Sequence, residues 1–142
     1  MAGGCIIYVC TGFLFAKLSV IYRENVFADF AERSSFMVAA IKRFEREQGH
    51  APENLPALVP DYLLAVPGTD IGAYSSYGYQ VGNNISLHFG RPWILYVAIP
   101  GTGSDRGDEK FMYLPDQDYP GEEQAQVIQR LGDWAFVQDG QQ

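Results

Sequence analysis

The amino-acid sequence predicts an α+β fold, with a long N-terminal helix packed on a small antiparallel β-sheet. Three observations lead there. Apolar residues between positions 24 and 48 recur at helical spacing. From about residue 73 the pattern changes to short alternating segments separated by glycine, proline and asparagine. The length, 142 residues, suits one domain able to bury a core without metal or disulfide staples. The expected division is an apolar segment at 1–23 and a single α+β domain at 24–142.

The apolar segment comes first. Gly4 to Tyr22 holds fourteen apolar residues in nineteen, and its only charge is Lys17. That length is near the ~20 residues a membrane-spanning helix needs. Lys17 lies close enough to the end for its stem to reach the interface. The leading expectation is a membrane anchor through residues 4–22. A cleaved signal and a buried core helix are the alternatives. Cys5 and Cys10, the two cysteines, both lie here. Five residues apart on a helix they share no face and stand too far apart to bridge, so they read as small apolar residues.

The helix over Glu24–Gln48 follows. Phe27, Phe30, Met37, Ile41 and Phe44 fall on one stripe at steps of three, four or seven. Lys42, Arg43 and Arg46 gather in the last turns, where cations complement the helix dipole. Gly49 stands where a C-cap glycine belongs, and Pro52 forbids continuation. Residues 49–72 then carry four prolines and read as a turn, a short helical turn around Leu55–Leu58, and extended chain. Leu55, Leu58, Val59, Tyr62, Leu63, Leu64 and Val66 are too apolar for a solvated linker and are expected to dock against the helix stripe.

Strands are expected at Tyr74–Val81, Ile85–Phe89, Trp93–Ile99 and Lys110–Leu114, with turns at Gly82-Asn83-Asn84 and Gly90-Arg91-Pro92. Val127–Leu131 fits helix or strand. Trp134–Val137 reads as a final edge strand, completing an antiparallel meander. Tyr74, Tyr77 and Tyr79 are expected to be buried in the sheet, an exposed aromatic patch being the alternative. Trp93 and Trp134 read as core anchors.

Charge excludes one class of partner. Residues 1–48 hold six Lys/Arg against five Asp/Glu, a net of +1, whereas 49–142 hold four against twelve, a net of −8. An acidic domain repels phosphate backbones, so no nucleic acid is expected. Asp116, Asp118, Glu122 and Glu123 make an acidic loop with Tyr119. Such a loop is a solvated surface or, alternatively, a face for a basic partner.

No catalytic constellation emerges. His50 and His88 have no Cys, Asp or Ser at catalytic or ligand spacing. Gly101-Thr102-Gly103-Ser104 lacks the Gly-Lys-Ser/Thr ending of a phosphate-binding loop and a helix to follow it. Neither an enzyme nor a bound cofactor is expected.

The run Ile41-x-x-Phe44-x-x-x-x-Gly49-x-x-Pro52-x-x-Leu55-x-x-Leu58-Val59-Pro60-x-Tyr62-Leu63-x-x-x-Pro67 resembles the major pseudopilins of type II secretion and related type IV pilin-like proteins. The likeness in element order extends over residues 24–100. In that family an apolar helix leads into an amphipathic one, then a Gly-x-x-Pro turn, a leucine-rich loop and a small antiparallel sheet. The family's Gly-Phe junction has a counterpart in Gly12-Phe13. Lys17 stands where the family places glutamate, and apolar residues stand where it has a basic leader.

The resemblance implies a non-enzymatic protein of the cell inner membrane with its globular domain in the periplasm. It would make protein–protein contacts, in secretion or filament assembly. Some of these proteins bind calcium in a C-terminal loop. Here Asp105, Asp108 and Glu109 supply oxygen ligands in the loop 101–109, the alternative being a solvated hairpin loop. A different class also fits the charge: a soluble acidic inhibitor or immunity-type module that masks a basic partner.

Overall fold

In a computed structural model, the structure describes residues 21–72, 74–82, 91–100, 109–119 and 125–139. Helix α1 covers residues 21–33, and helix α2 covers Ser35–Gln48. Ser34 forms a turn between them without breaking the chain of hydrogen bonds. Its N–H donates to Phe30 O (2.8 Å), and its carbonyl accepts from Val38 N–H (3.1 Å). Gly49 ends α2 in the left-handed conformation, φ 78°, with its N–H donated to Glu45 O at 2.9 Å.

Asn54 caps the next element by accepting from Ala57 N–H at 3.0 Å, with Pro56 at the start of a 3-10 turn over Leu55–Leu58. This is the short helical turn the leucines and prolines predict. Leu55 and Leu58 are buried, and Tyr62, Leu63 and Val66 pack against the core. Leu64, expected to dock with them, is instead 95% exposed, and Val59 is also exposed. Neighbouring side chains here cannot all face one helix, and Leu63 takes the inward position.

Five antiparallel strands follow: β1 Gly78–Val81, β2 Trp93–Ile99, β3 Glu109–Tyr113, β4 Ala125–Leu131 and β5 Trp134–Asp139. Their order is β1-β2-β3-β5-β4. This corrects two expectations. The sheet is not a simple meander, because β5 returns between β3 and β4. The segment Trp134–Val137 is therefore interior, not an edge. The reason lies in its composition. Trp134, Ala135, Phe136 and Val137 are all buried, so both faces of this strand need cover. The more polar Gln129-Arg130 of β4 suits the rim, where a bulge sits between Val127 and Gln129. Tyr74 makes only an isolated bridge with Ile71, so the first strand starts later than its tyrosines suggest. The expected strand Ile85–Phe89 lies outside the described residues.

The helices cover one face of the sheet. Phe27 and Phe30 project from α1 into Phe111, Trp134 and Phe136, with ring centroids 4.9 to 6.1 Å apart. Phe111 stacks on Trp134 at 5.3 Å, and Trp93 on Tyr113 at 5.9 Å. Met37, Ile41 and Leu58 complete this layer, each fully buried. Four of the five predicted stripe residues are buried, and Phe44 is half-buried beside Tyr62. The opposite face holds a second, smaller apolar cluster of Ile94, Met112, Leu114, Ala135 and Val137, flanked by Tyr96, Tyr119 and Val127.

Two tests follow from this packing. Phe111 meets four aromatic rings and has no exposed surface. Phe111→Ala is expected to cost about 3–5 kcal/mol, read by chemical denaturation. Gly78 lies under the Tyr96 ring, where an added Cβ would stand 2.3 Å from ring carbon. Gly78→Ala is expected to push that ring outward at a cost of about 1–3 kcal/mol. Combining it with Tyr96→Ala should cost less than the sum of the two single changes.

Candidate functional site

Two residues where the apolar segment meets the domain are tied across the sheet. Arg23, in the first described turn of α1, is ion-paired with Glu109 at the start of β3. Its guanidinium also lies over the Phe136 ring, 4.1 Å from the centroid. Next to it, Glu24 accepts from Gln129 Nε2 at 2.7 Å. These partners are 86 and 105 residues away in sequence, so the entry turn of the helix is held to β3, β5 and β4 together. Ile21 and Tyr22, immediately before them in the same turn, are exposed. Sequence reading takes Arg23 and Glu24 for flanking charges, and nothing local marks them as long-range clamps.

Of the three candidate oxygen ligands, one can be placed. Glu109 is bound to Arg23, which competes with any role as a metal ligand. Asp105 and Asp108 lie outside the described residues, as do Gly101–Ser104, His88, Glu122 and Glu123. Among the described residues no group of three or more His, Cys, Asp or Glu could hold a metal ion.

In the described part of the acidic loop after β3, two aspartates share one cation. Arg91 gives Nη1 to Asp116 Oδ2 at 3.0 Å and Nη2 to Asp118 Oδ2 at 2.6 Å. The same Nη2 donates to the Asp118 carbonyl. Two carboxylates of the predicted partner surface are therefore engaged within the chain. Beside them the Tyr119 hydroxyl points at the carbonyls of Met112 and Asp133 and accepts from Leu114 N–H, under the Arg130 guanidinium at 4.6 Å. Burial pushes the Tyr119 phenol up from its usual range.

The far end of α2 is tied in the same manner. Glu45 accepts from Trp93 Nε1 at 3.2 Å. Glu47 accepts from Arg43 Nε (2.9 Å) and from Tyr62 OH (2.8 Å), which holds its carboxyl below the usual carboxylate range. His50 is exposed, with its ring against Phe44 and Nδ1 at 2.9 Å from Ala51 O. Tyr77 and Tyr79 are half-buried rather than fully covered. Tyr77 shares a hydrogen bond with the buried Ser34 hydroxyl (2.8 Å), and Tyr79 donates to Pro52 O (2.9 Å). Burial raises both phenols.

Open space remains along both flanks of the helix. On one flank the Arg33–Asp70 ion pair, 3.2 Å, stands between two shallow clefts. On the other, a groove of about 710 Å³ separates the helix from the β4–β5 turn. Ala28, Ala31, Ser35 and Ala39 form its helix wall, and Leu131 and Trp134 face them. None of these surfaces brings a nucleophile, a general base and an oxyanion donor together. Among the described residues no helix is long and apolar enough to cross a membrane. Of the segment 4–22, only Ile21 and Tyr22 belong to them.

No family model, no curated protein and no solved structure matches this chain.

The buried phenols set an alkaline limit. A phenol whose folded pKa is raised contributes stability below the unfolded value near 10, and loses it as pH rises toward the folded value. Unfolding free energy is therefore expected to fall with pH above about 10. Tyr119→Phe should make that fall shallower, read by denaturation at a series of pH values.

Proposed function

We propose that this chain is a non-enzymatic, pilin-like protein anchored in the cell inner membrane through residues 4–22, with its α+β domain in the periplasm. The domain makes contacts with other proteins of the cell envelope, in secretion or filament assembly. One observation carries this reading. The last two residues of the apolar run, Ile21 and Tyr22, belong to helix α1, and the residues right after them are fixed to the sheet by Arg23–Glu109 and Glu24–Gln129. A segment inserted in a bilayer would then hold the domain in a set orientation rather than on a loose tether. Exposed Tyr22 fits the interfacial level, where aromatic residues with a polar tip are favoured.

The α+β architecture, helix first and antiparallel sheet after, is compatible with the resemblance in residues 24–100. The alternative of an acidic module masking a basic partner has less support. Asp70, Glu109, Asp116 and Asp118, which such a surface would offer, already hold arginines of this chain.

Membrane fractionation tests the proposal. The full chain is expected to sediment with membranes and to resist carbonate extraction. A shortened chain that begins at Ile21, keeping Arg23 and Glu24, is expected in the soluble fraction with an unchanged circular dichroism spectrum. A soluble full chain together with an unfolded short one would instead place residues 4–20 in the core and remove the anchor.

A further inference from the structure

The helix wall of the large groove is self-complementary. Ala28, Glu32, Ser35, Ala39 and Lys42 all line it, and their spacing is 4-3-4-3, the seam along which two helices pack. The middle of this seam is small. The charges that flank this centre are opposite in sign, with Glu32 toward the N-terminus and Lys42 ten residues later, about 15 Å along the axis. A two-fold axis through the level of Met37 exchanges positions 32 and 42, and likewise 35 and 39. Two copies laid antiparallel would therefore set Glu32 of each against Lys42 of the other. Ser35 would meet Ala39 twice at the centre.

We infer that this groove is a docking surface for a second copy of the same chain, and that the pair is an antiparallel, two-fold helix contact centred between Ser35 and Ala39. Small residues at the centre let the axes approach to about 8 Å, the near end of the usual range. The groove supplies the room, because the opposite wall at the β4–β5 turn stands away from the helix. That wall ends in exposed Asp133, which adds a second carboxylate to the rim. Glu32 has no ion-pair or hydrogen-bond partner of its own among the described residues. Lys42 rests over the Tyr113 ring at 5.3 Å and makes no ion pair among the described residues.

The helix dipole favours acid early and base late on any helix. It does not put both on one seam with only small residues between them. The charge pattern also selects the orientation. A parallel two-fold pair would oppose Glu32 to Glu32 and Lys42 to Lys42, which repel. The inference does not rest on the membrane reading. The antiparallel geometry sends the two N-terminal segments in opposite directions, so pairing and insertion of both chains in one bilayer exclude each other.

Sedimentation equilibrium of the full chain in a non-ionic detergent, at low salt and over a concentration series, tests it. The wild type is expected to dimerise. Glu32→Lys alone and Lys42→Glu alone are each expected to weaken the dimer about tenfold or more, since two attractions become two repulsions. An equimolar mixture of the two variants should dimerise again, and so should the Glu32→Lys/Lys42→Glu double variant. Glu32 is exposed and Lys42 is half-buried over Tyr113, and circular dichroism checks that each variant is folded. A wild type that stays monomeric overturns the inference. So does a dimer that neither single variant weakens, which would assign association to another surface such as the apolar segment. Membrane fractionation of the same variants is expected to be unchanged, so failure here and failure of the anchor reading are separable.

Discussion

The layer of aromatic rings between helix and sheet is the contact on which the rest of the structure depends. Phe27 and Phe30 come from α1. Phe111 comes from β3, Trp134 and Phe136 from β5, and Trp93 and Tyr113 from the first strands' end of the layer. Each buried ring removes a large apolar area from water, and edge-to-face and stacked pairs add to that gain. The consequence for topology is direct. A strand that carries Trp134 and Phe136 toward the helix and Ala135 and Val137 toward the other face is stable only between two neighbours. Pairing of β5 with β3 at Phe111↔Phe136 brings the two heaviest strands together under α1. Strand β4 is then left to the rim.

Polar groups fix direction where the apolar layer alone would allow the helix to slide. At its start Arg23 and Glu24 reach Glu109 and Gln129. In its middle the Ser34 hydroxyl meets Tyr77, and at its end Glu45 meets Trp93 and Glu47 meets Tyr62. Ion pairs at exposed positions contribute little each, on the order of 0–1 kcal/mol. Their value here is register: five contacts spread along residues 23–47 select one axial position among several that would bury similar area. The same internal pairing offsets part of the acidic charge among the described residues. Arg33, Arg91 and Arg23 are each paired with carboxylates of the 49–142 region.

Much of this was legible in the sequence, for physical reasons that also mark where reading stops. The stripe Phe27, Phe30, Met37, Ile41 and Phe44 and the Gly49 terminus follow from periods and caps, which are local. The strands β2 and β3 were legible from branched and aromatic content. Strand order was not, because it depends on which strands need two covered faces, a comparison across the whole sheet. Arg23, Glu24 and Arg91 were illegible as clamps, since their partners lie 25 to 105 residues away and no spacing rule connects them. The candidate oxygen ligands were legible only as a type of residue. Glu109 shows the limit of such reading, because a carboxylate beside an arginine in space is a different chemical object from one beside it in no sense but composition.

The helix thus serves each of its faces differently, and this is where fold and function connect. The face with Phe27, Phe30 and Met37 is committed to the core, and no change there can be read as a change in binding. The flank at Arg33 is divided into two shallow clefts by its pair with Asp70. Only the flank along Ala28, Ser35 and Ala39 presents small side chains to open space, with unlike charges at its two ends. A helix surrounded by bulky surface residues would hold a partner off, whereas this one leaves a trough beside a rigid wall. The clamps at residues 23–24 and 45–47 hold that trough straight whether or not anything occupies it. A docking face built this way would need no rearrangement to bind, and so would lose little conformational entropy on binding.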